Sequence, residues 1–149
     1  MDRPFSEEEF KAIFSRVPRL CVDLIIRSPR GIIMTRRSLS SWGGMWHVPG
    51  GTVFYRERVE DAAKRVAKRE LGIEIDVVQT LGYMEFPSEE KERGYGYSVS
   101  IALLCTFVGG ALLTESTEAS EIREFLELPD GVITEQREFL AAHWSEIFS

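Results

Sequence analysis

Gly50–Ile73, GGTVFYRERVEDAAKRVAKRELGI, is the stretch from which the fold is read. From Val59 the apolar positions Val59, Ala62, Ala63, Val66 and Ala67 recur at i, i+3, i+4 spacing, which predicts an amphipathic helix. Glu60 and Asp61 suit its positive N-terminal end, and Gly72 suits its stop. One further turn along the stripe stands Glu70. A carboxylate on an otherwise apolar face needs a partner to offset its desolvation, and a metal ion is one such partner. The small alanines let the helix approach a strand closely, and Pro49-Gly50-Gly51 leaves free backbone groups near the carboxylate.

Beta structure surrounds this helix. Leu20 to Ile26 and Gly31 to Thr35 are apolar runs separated by Arg-Ser-Pro-Arg-Gly, a hairpin pattern. Further strands are expected at Trp46 to Val48, Ile73 to Glu85 and Tyr97 to Val108. The charged, glycine-containing stretch from Phe86 to Gly96 is expected to be a mobile surface loop. Ser6 and Glu9 form a capping box, with Phe5 and Phe10 placed as a staple, so a helix is expected from about Glu7 to Arg16. Its stripe of Phe10, Ile13, Phe14 and Val17 docks either on the domain or on a second subunit. Phe139, Leu140, His143, Trp144, Ile147 and Phe148 give a closing helix after the turn Pro129-Asp130-Gly131. Strands outnumber helices and do not alternate regularly with them, so the expected architecture is a mixed α/β sandwich. The simplest division is a helical appendage over residues 1–18 and one domain over 19–149.

Composition narrows the function classes. The chain has 149 residues, 18 Lys and Arg against 24 Asp and Glu, a net charge of -6 and 44% hydrophobic content, as one globular domain requires. The acidic balance argues against a nucleic-acid polymer as partner but allows a local basic patch for a small anion. Cys21 and Cys105 stand in apolar runs without a neighbouring Cys or His, so buried free thiols are expected rather than a zinc site. The acidic start, MDRPFSEEEF, and the lack of an apolar run near membrane-spanning length lead to an expected cytoplasmic location away from the membrane.

The order Gly51, five residues, Glu57, seven residues, Arg65, then Glu70-Leu71-Gly72-Ile73 resembles the Nudix box, and Trp46-His47-Val48-Pro49-Gly50-Gly51 is similar to its lead-in. The resemblance implies a Nudix-type α/β/α sandwich, a mixed sheet with flanking helices, that hydrolyses nucleoside diphosphates linked to another group. Where the full box reads Arg-Glu-aliphatic-any-Glu-Glu, Arg65 is followed here by Val66, Ala67, Lys68, Arg69 and Glu70. Two of three clustered carboxylates are therefore missing, which implies a single Mg2+, with Mn2+ as the alternative ion. Its expected ligands are Glu70, the backbone carbonyl near Gly50 and the substrate's phosphate oxygens. The same defect resembles the GDP-mannose mannosyl hydrolase branch, in which water attacks the sugar's anomeric carbon. Pro18-Arg19-Leu20-Cys21-Val22-Asp23-Leu24 is similar to that branch as well.

On that branch Asp23 and Arg37 match active-site positions, with catalytic and substrate-binding roles, and a homodimer is implied. The match departs at Thr52, where the branch has an arginine, and at Ala119, where it has its basic histidine. Residues 117–123 look instead like the loop of Nudix pyrophosphohydrolases, which implies Glu118 as a further metal ligand and Glu121 as the base. Arg65 and Arg37 are expected to support diphosphate charge, and Tyr97, beside Tyr95, to stack on a base. Structural readings stand beside these: Arg65 as an ion-pair partner of Glu57, Asp23 as a hydrogen-bonded core residue, and His143 as a core histidine. The leading expectation is hydrolysis of a nucleoside diphosphate sugar, GDP-mannose-like, with one magnesium ion. Its alternatives are pyrophosphohydrolysis of an ADP-ribose-like or dinucleotide substrate, and a catalytically silent Nudix domain that binds a nucleotide or a protein.

Overall fold

A computed structural model describes residues 3–38, 41–116 and 119–149. Strand β1 (Arg19–Ser28) runs through the middle of the sheet, and every residue from Cys21 to Ile26 is buried. β6 (Ser98–Gly110) lies parallel to it in continuous register from Arg19 opposite Ser98 to Arg27 opposite Thr106. β2 (Gly31–Arg37), β3 (Trp46–His47) and β5 (Ile73–Glu85) complete the order β3-β2-β1-β6-β5, with antiparallel pairing outside the β1–β6 pair. β4 (Gly50–Thr52) pairs with the N-terminal half of β1, and β7 (Ala119–Phe125) pairs with β2.

Strict alternation assigns the two faces. Val22, Leu24, Ile26, Ile33, Leu103 and Cys105 point to one side, where they meet Ala62, Ala63, Val66, Ala67 and Leu71 of α2 (Val59–Leu71). Ile25, Ile32, Met34, Ala102 and Leu104 point to the other, against Leu140 and Ile147 of α4 (Thr134–Ile147). The result is the mixed sheet with helices on both faces that the sequence leads one to expect. α2 lies close to the sheet because Ala62, Ala63 and Ala67 are fully buried, and it ends at Gly72 in the left-handed conformation. The capping box of Ser6 and Glu9 opens α1 (Glu7–Phe14), and α1 docks on the domain through Phe10, which is buried. Both cysteines are free and buried, and burial pushes their thiols up to about 11 at Cys21 and about 12 at Cys105.

Two expectations are corrected. The stretch from Phe86 to Gly96 is not a plain surface loop: it contains α3 (Ser88–Arg93), whose Glu89 is 1% exposed. Its carboxylate is drawn inward by the Ser98 hydroxyl at 2.6 Å, Arg19 at 3.3 Å and Arg93 at 3.4 Å. Of residues 117–123, expected as a loop, Ala119 to Arg123 belong to strand β7. Glu118 lies outside the described residues.

One side chain joins α4 to the glycine corner. The buried Gln136 Oε1 accepts the Val48 backbone N–H at 2.8 Å, next to Pro49 and Gly50. Replacing Gln136 with Leu leaves that buried donor unsatisfied, so urea unfolding is expected to show a loss of about 1–3 kcal/mol. A loss below about 0.5 kcal/mol contradicts the assignment.

Candidate functional site

The α4-side stripe changes character toward one end of β1 and β6. Past Ile25, Ala102 and Leu104 it continues as Asp23 and Cys21, with Ser100 and Ser98 alongside, and here a cleft of about 630 Å3 opens. Glycines 50 and 51, Thr52, and the α2 residues Arg65, Val66, Arg69 and Glu70 line it; so do Arg37, His47, Trp42, Glu89 and Tyr95. Among the described residues the lining holds six arginines, at positions 3, 19, 37, 65, 69 and 93, against the four carboxylates Glu7, Asp23, Glu70 and Glu89. A chain of net charge -6 thus concentrates cations in its cleft. Such an arrangement attracts an anionic ligand.

Asp23 and Gly50 meet in register across β1 and β4. A Cβ at position 50 would strike Asp23 Oδ1 and come within 2.7 Å of the Val22 carbonyl, so the corner is built around a missing side chain. Asp23 is 7% exposed, and its Oδ2 has no hydrogen-bond partner among the described residues. Burial pushes its pKa up to about 7, with Ser100, Arg19 and Gln136 offsetting part of the desolvation.

Arg65 is engaged inside the protein. Its Nε and Nη2 donate to the two Glu57 oxygens at 2.8 and 3.0 Å, Nη2 also donates to the Thr52 carbonyl at 2.8 Å, and the guanidinium lies 3.8 Å from the Phe54 ring centroid. This hydrogen bonding holds the Glu57 carboxyl below the usual range. Arg37 lines the cleft, donates from Nε to the Ser41 carbonyl at 2.6 Å and covers the Trp42 ring at 5.4 Å.

His47 is half-buried, with Nδ1 2.8 Å from the Val48 carbonyl and Nε2 3.0 Å from Thr35 Oγ1. Desolvation, then the charge of Arg37, push it down to about 4. The ring is therefore neutral near pH 7, donating from Nδ1 and accepting the Thr35 hydroxyl proton at Nε2.

Of the remaining sequence-expected residues, Glu70 and Gly50 line the cleft together. Glu121 lies on β7 outside the lining, half-exposed, with Arg36 at 3.2 Å and Arg123 at 3.8 Å from its oxygens. Tyr97 is also outside the lining, 41% exposed, whereas Tyr95 is part of it. Arg19 was not singled out from sequence. Its i, i+2, i+4 relation to Cys21 and Asp23 on an apolar strand is the signal that places it on the same face.

The donor set bears on a divalent ion. α2 offers Glu70 next to the Gly50 corner, but no group of three or more His, Cys, Asp or Glu residues able to hold a metal occurs among the described residues. Glu70 and the Gly50 carbonyl are oxygen donors of the kind a divalent cation takes when it shares oxygens with a bound phosphate.

The Nudix domain family model matches residues 17–143, and the chain belongs to that family, whose members generally use divalent metal ions. It is 42% identical over 79 residues to the low-salt glycan biosynthesis protein Agl8 of Haloferax volcanii, a match covering 53% of this chain and 51% of that protein. It is 30% identical over 111 residues to an ADP-ribose pyrophosphatase of Methanocaldococcus jannaschii, covering 74% of this chain and 63% of that one. The chain thus spans about half to five-eighths of the length of these relatives. The crystal structure of a MutT protein from Methanosarcina mazei Go1 superposes with a TM-score of 0.72 at 22% identity, covering 87% of this chain and 95% of that one, a likeness of fold. No helix among the described residues is long and apolar enough to cross a membrane.

Two measurements check the electrostatics. A double-mutant cycle of Glu57→Gln and Arg65→Met is expected to give a coupling energy of about 1–3 kcal/mol, because the bidentate pair is largely shielded from solvent. A coupling near zero contradicts a structural clamp. His47 has a folded pKa below its unfolded value near 6.5, so its contribution is fully present above that value and is lost as pH falls toward 4. Long-range 15N spectra are expected to show a neutral His47 ring at pH 6; a charged ring there rejects the assignment.

Proposed function

We propose that the protein hydrolyses a nucleoside diphosphate sugar, with water attacking the anomeric carbon of the sugar. The observation that carries this reading is the shared cleft in which Glu70, the Gly50 corner and Asp23 stand among six arginines. Glu70 and the Gly50 carbonyl would hold a single magnesium ion, or manganese in its place, with phosphate and water oxygens completing its shell. Bound there, the ion supplies positive charge to the diphosphate.

The chain's own residues do the rest. Arg37 and Arg69 face the cleft and stabilise the charge that grows on the diphosphate as it leaves. Arg65 acts chiefly by holding the Thr52 carbonyl and Glu57 in place. Asp23 takes the proton of the attacking water: the water oxygen bonds to the anomeric carbon, the carbon–oxygen bond breaks, and its electron pair departs with the nucleoside diphosphate. Glu121, paired with two arginines outside the cleft, leaves this role to Asp23. Tyr95, which lines the cleft as Tyr97 does not, is the ring offered to a base. Cytoplasmic residence fits the two buried free thiols, and a homodimer fits the exposed Ile13, Val17 and Leu20 near the α1–β1 junction.

A second reading is favoured by the 30% identity to an ADP-ribose pyrophosphatase: attack on phosphorus in an ADP-ribose-like substrate. Hydrolysis of a nucleotide sugar in oxygen-18 water separates the two. Label in the released sugar, with a nucleoside diphosphate as co-product, is the expected result. Label in a nucleoside monophosphate or sugar phosphate rejects attack on carbon and supports the second reading. Glu70→Gln is expected to lower kcat at least about 100-fold while leaving the melting temperature within a few degrees. Turnover close to that of the parent removes Glu70 from the site.

A further inference from the structure

One end of the cleft carries a charge arrangement that the proposed chemistry has not used. α1, β1 and α3 converge on the Phe10 ring, and the guanidinium carbons of Arg3, Arg19 and Arg93 lie 5.4, 5.3 and 5.8 Å from its centroid. Arg19 and Arg93 share the carboxylate of Glu89, at 3.3 and 3.4 Å. Along the whole lining the arginines still outnumber the carboxylates, six against four. Confining like charges in a partly buried site is costly, and an incoming anion relieves it.

Arg19 is the member of this group set for a ligand. Its side chain is 15% exposed and lines the cleft, Nη1 donates to Thr52 Oγ1 at 2.8 Å, and its buried Nε has no hydrogen-bond partner among the described residues. A hydroxyl that accepts from Arg19 keeps its own proton to donate onward. Arg65 binds the carbonyl of the same residue, so Thr52 sits between two guanidinium groups. The Thr52 hydroxyl is a second support for Arg19, and it stands at the end of β4 beside the glycine corner.

We propose that Arg19, oriented by Thr52 and Glu89, binds the diphosphate of the substrate. It supplies from β1 the guanidinium that the resembled branch takes from the position of Thr52. This assignment rests on the nucleoside diphosphate reading, and its test is separable from that reading because it measures binding without turnover.

Inorganic pyrophosphate, titrated calorimetrically into the full chain in magnesium-containing buffer, is the probe. Arg19→Ala is expected to weaken binding by about 10- to 100-fold, as for loss of a charge-assisted hydrogen bond. Arg19→Lys is expected to fall between, and adding Thr52→Arg to Arg19→Ala to recover at least about tenfold. A merely structural Arg19 would not be rescued from position 52. Binding within about twofold of the parent in a folded Arg19→Ala protein overturns the proposal, as does a parent that does not bind pyrophosphate or a double variant without recovery. If Arg19→Ala melts too low to titrate, Arg19→Lys is read in its place, and parent-like affinity there overturns the proposal. Pyrophosphate binding that depends on Arg19 in a protein inactive on nucleotide sugars would support the subsite while defeating the proposed reaction; turnover with Arg19-independent binding would do the reverse.

Discussion

Arg65 is held on three sides before any ligand arrives, and the geometry of the cleft depends on that. Glu57 binds it through both oxygens, the Thr52 carbonyl caps it, and Phe54 lies against its face. These contacts pin the segment between β4 and α2 back onto the helix. The alanine face of α2 fixes the helix's rotation from the other side. With both restraints in place, Val66, Arg69 and Glu70 are presented to the glycine corner. The spacing of Glu57 and Arg65 in the sequence is thus a requirement of architecture as much as of chemistry.

The elements read correctly from sequence are those whose signal is local. α2 announces itself by apolar period and a glycine stop, and β1 by a run of buried apolar residues interrupted at Asp23. α3 is hidden because a charged run ordinarily stays in water. Glu89 goes inside only because Arg19, distant in sequence, and Ser98 compensate it. β7 is hidden for another reason. The register shift opposite Arg36 and Arg37 breaks its alternation, so that Ala119 and Ile122, three residues apart, both face α2. The placement of Glu121 beside Arg36, away from the cleft, follows from the same shift.

The site was partly legible for the same physical reasons. A lone aspartate in an apolar strand and a glutamate on a helix's apolar stripe are conspicuous against their surroundings, and both line the cleft. Arg19 was not conspicuous, since an arginine at the start of a strand is commonplace. Its meaning appears only when parallel pairing with β6 and the packing of α3 surround it.

The cleft-lining residues of α2 and the arginines around them belong to one arrangement. Along this part of the cleft α2 presents Val66, an exposed Arg69 and Glu70, one carboxylate beside one guanidinium. A site with few oxygen ligands cannot gather several metal ions around a phosphate, but guanidinium groups already in position can neutralise the same oxygens without coordination. Fixed cations serve a departing diphosphate well, because its charge grows on oxygens that planar donors reach in pairs. The charge pattern of the cleft therefore suits an anionic ligand held by guanidinium groups as much as by coordination.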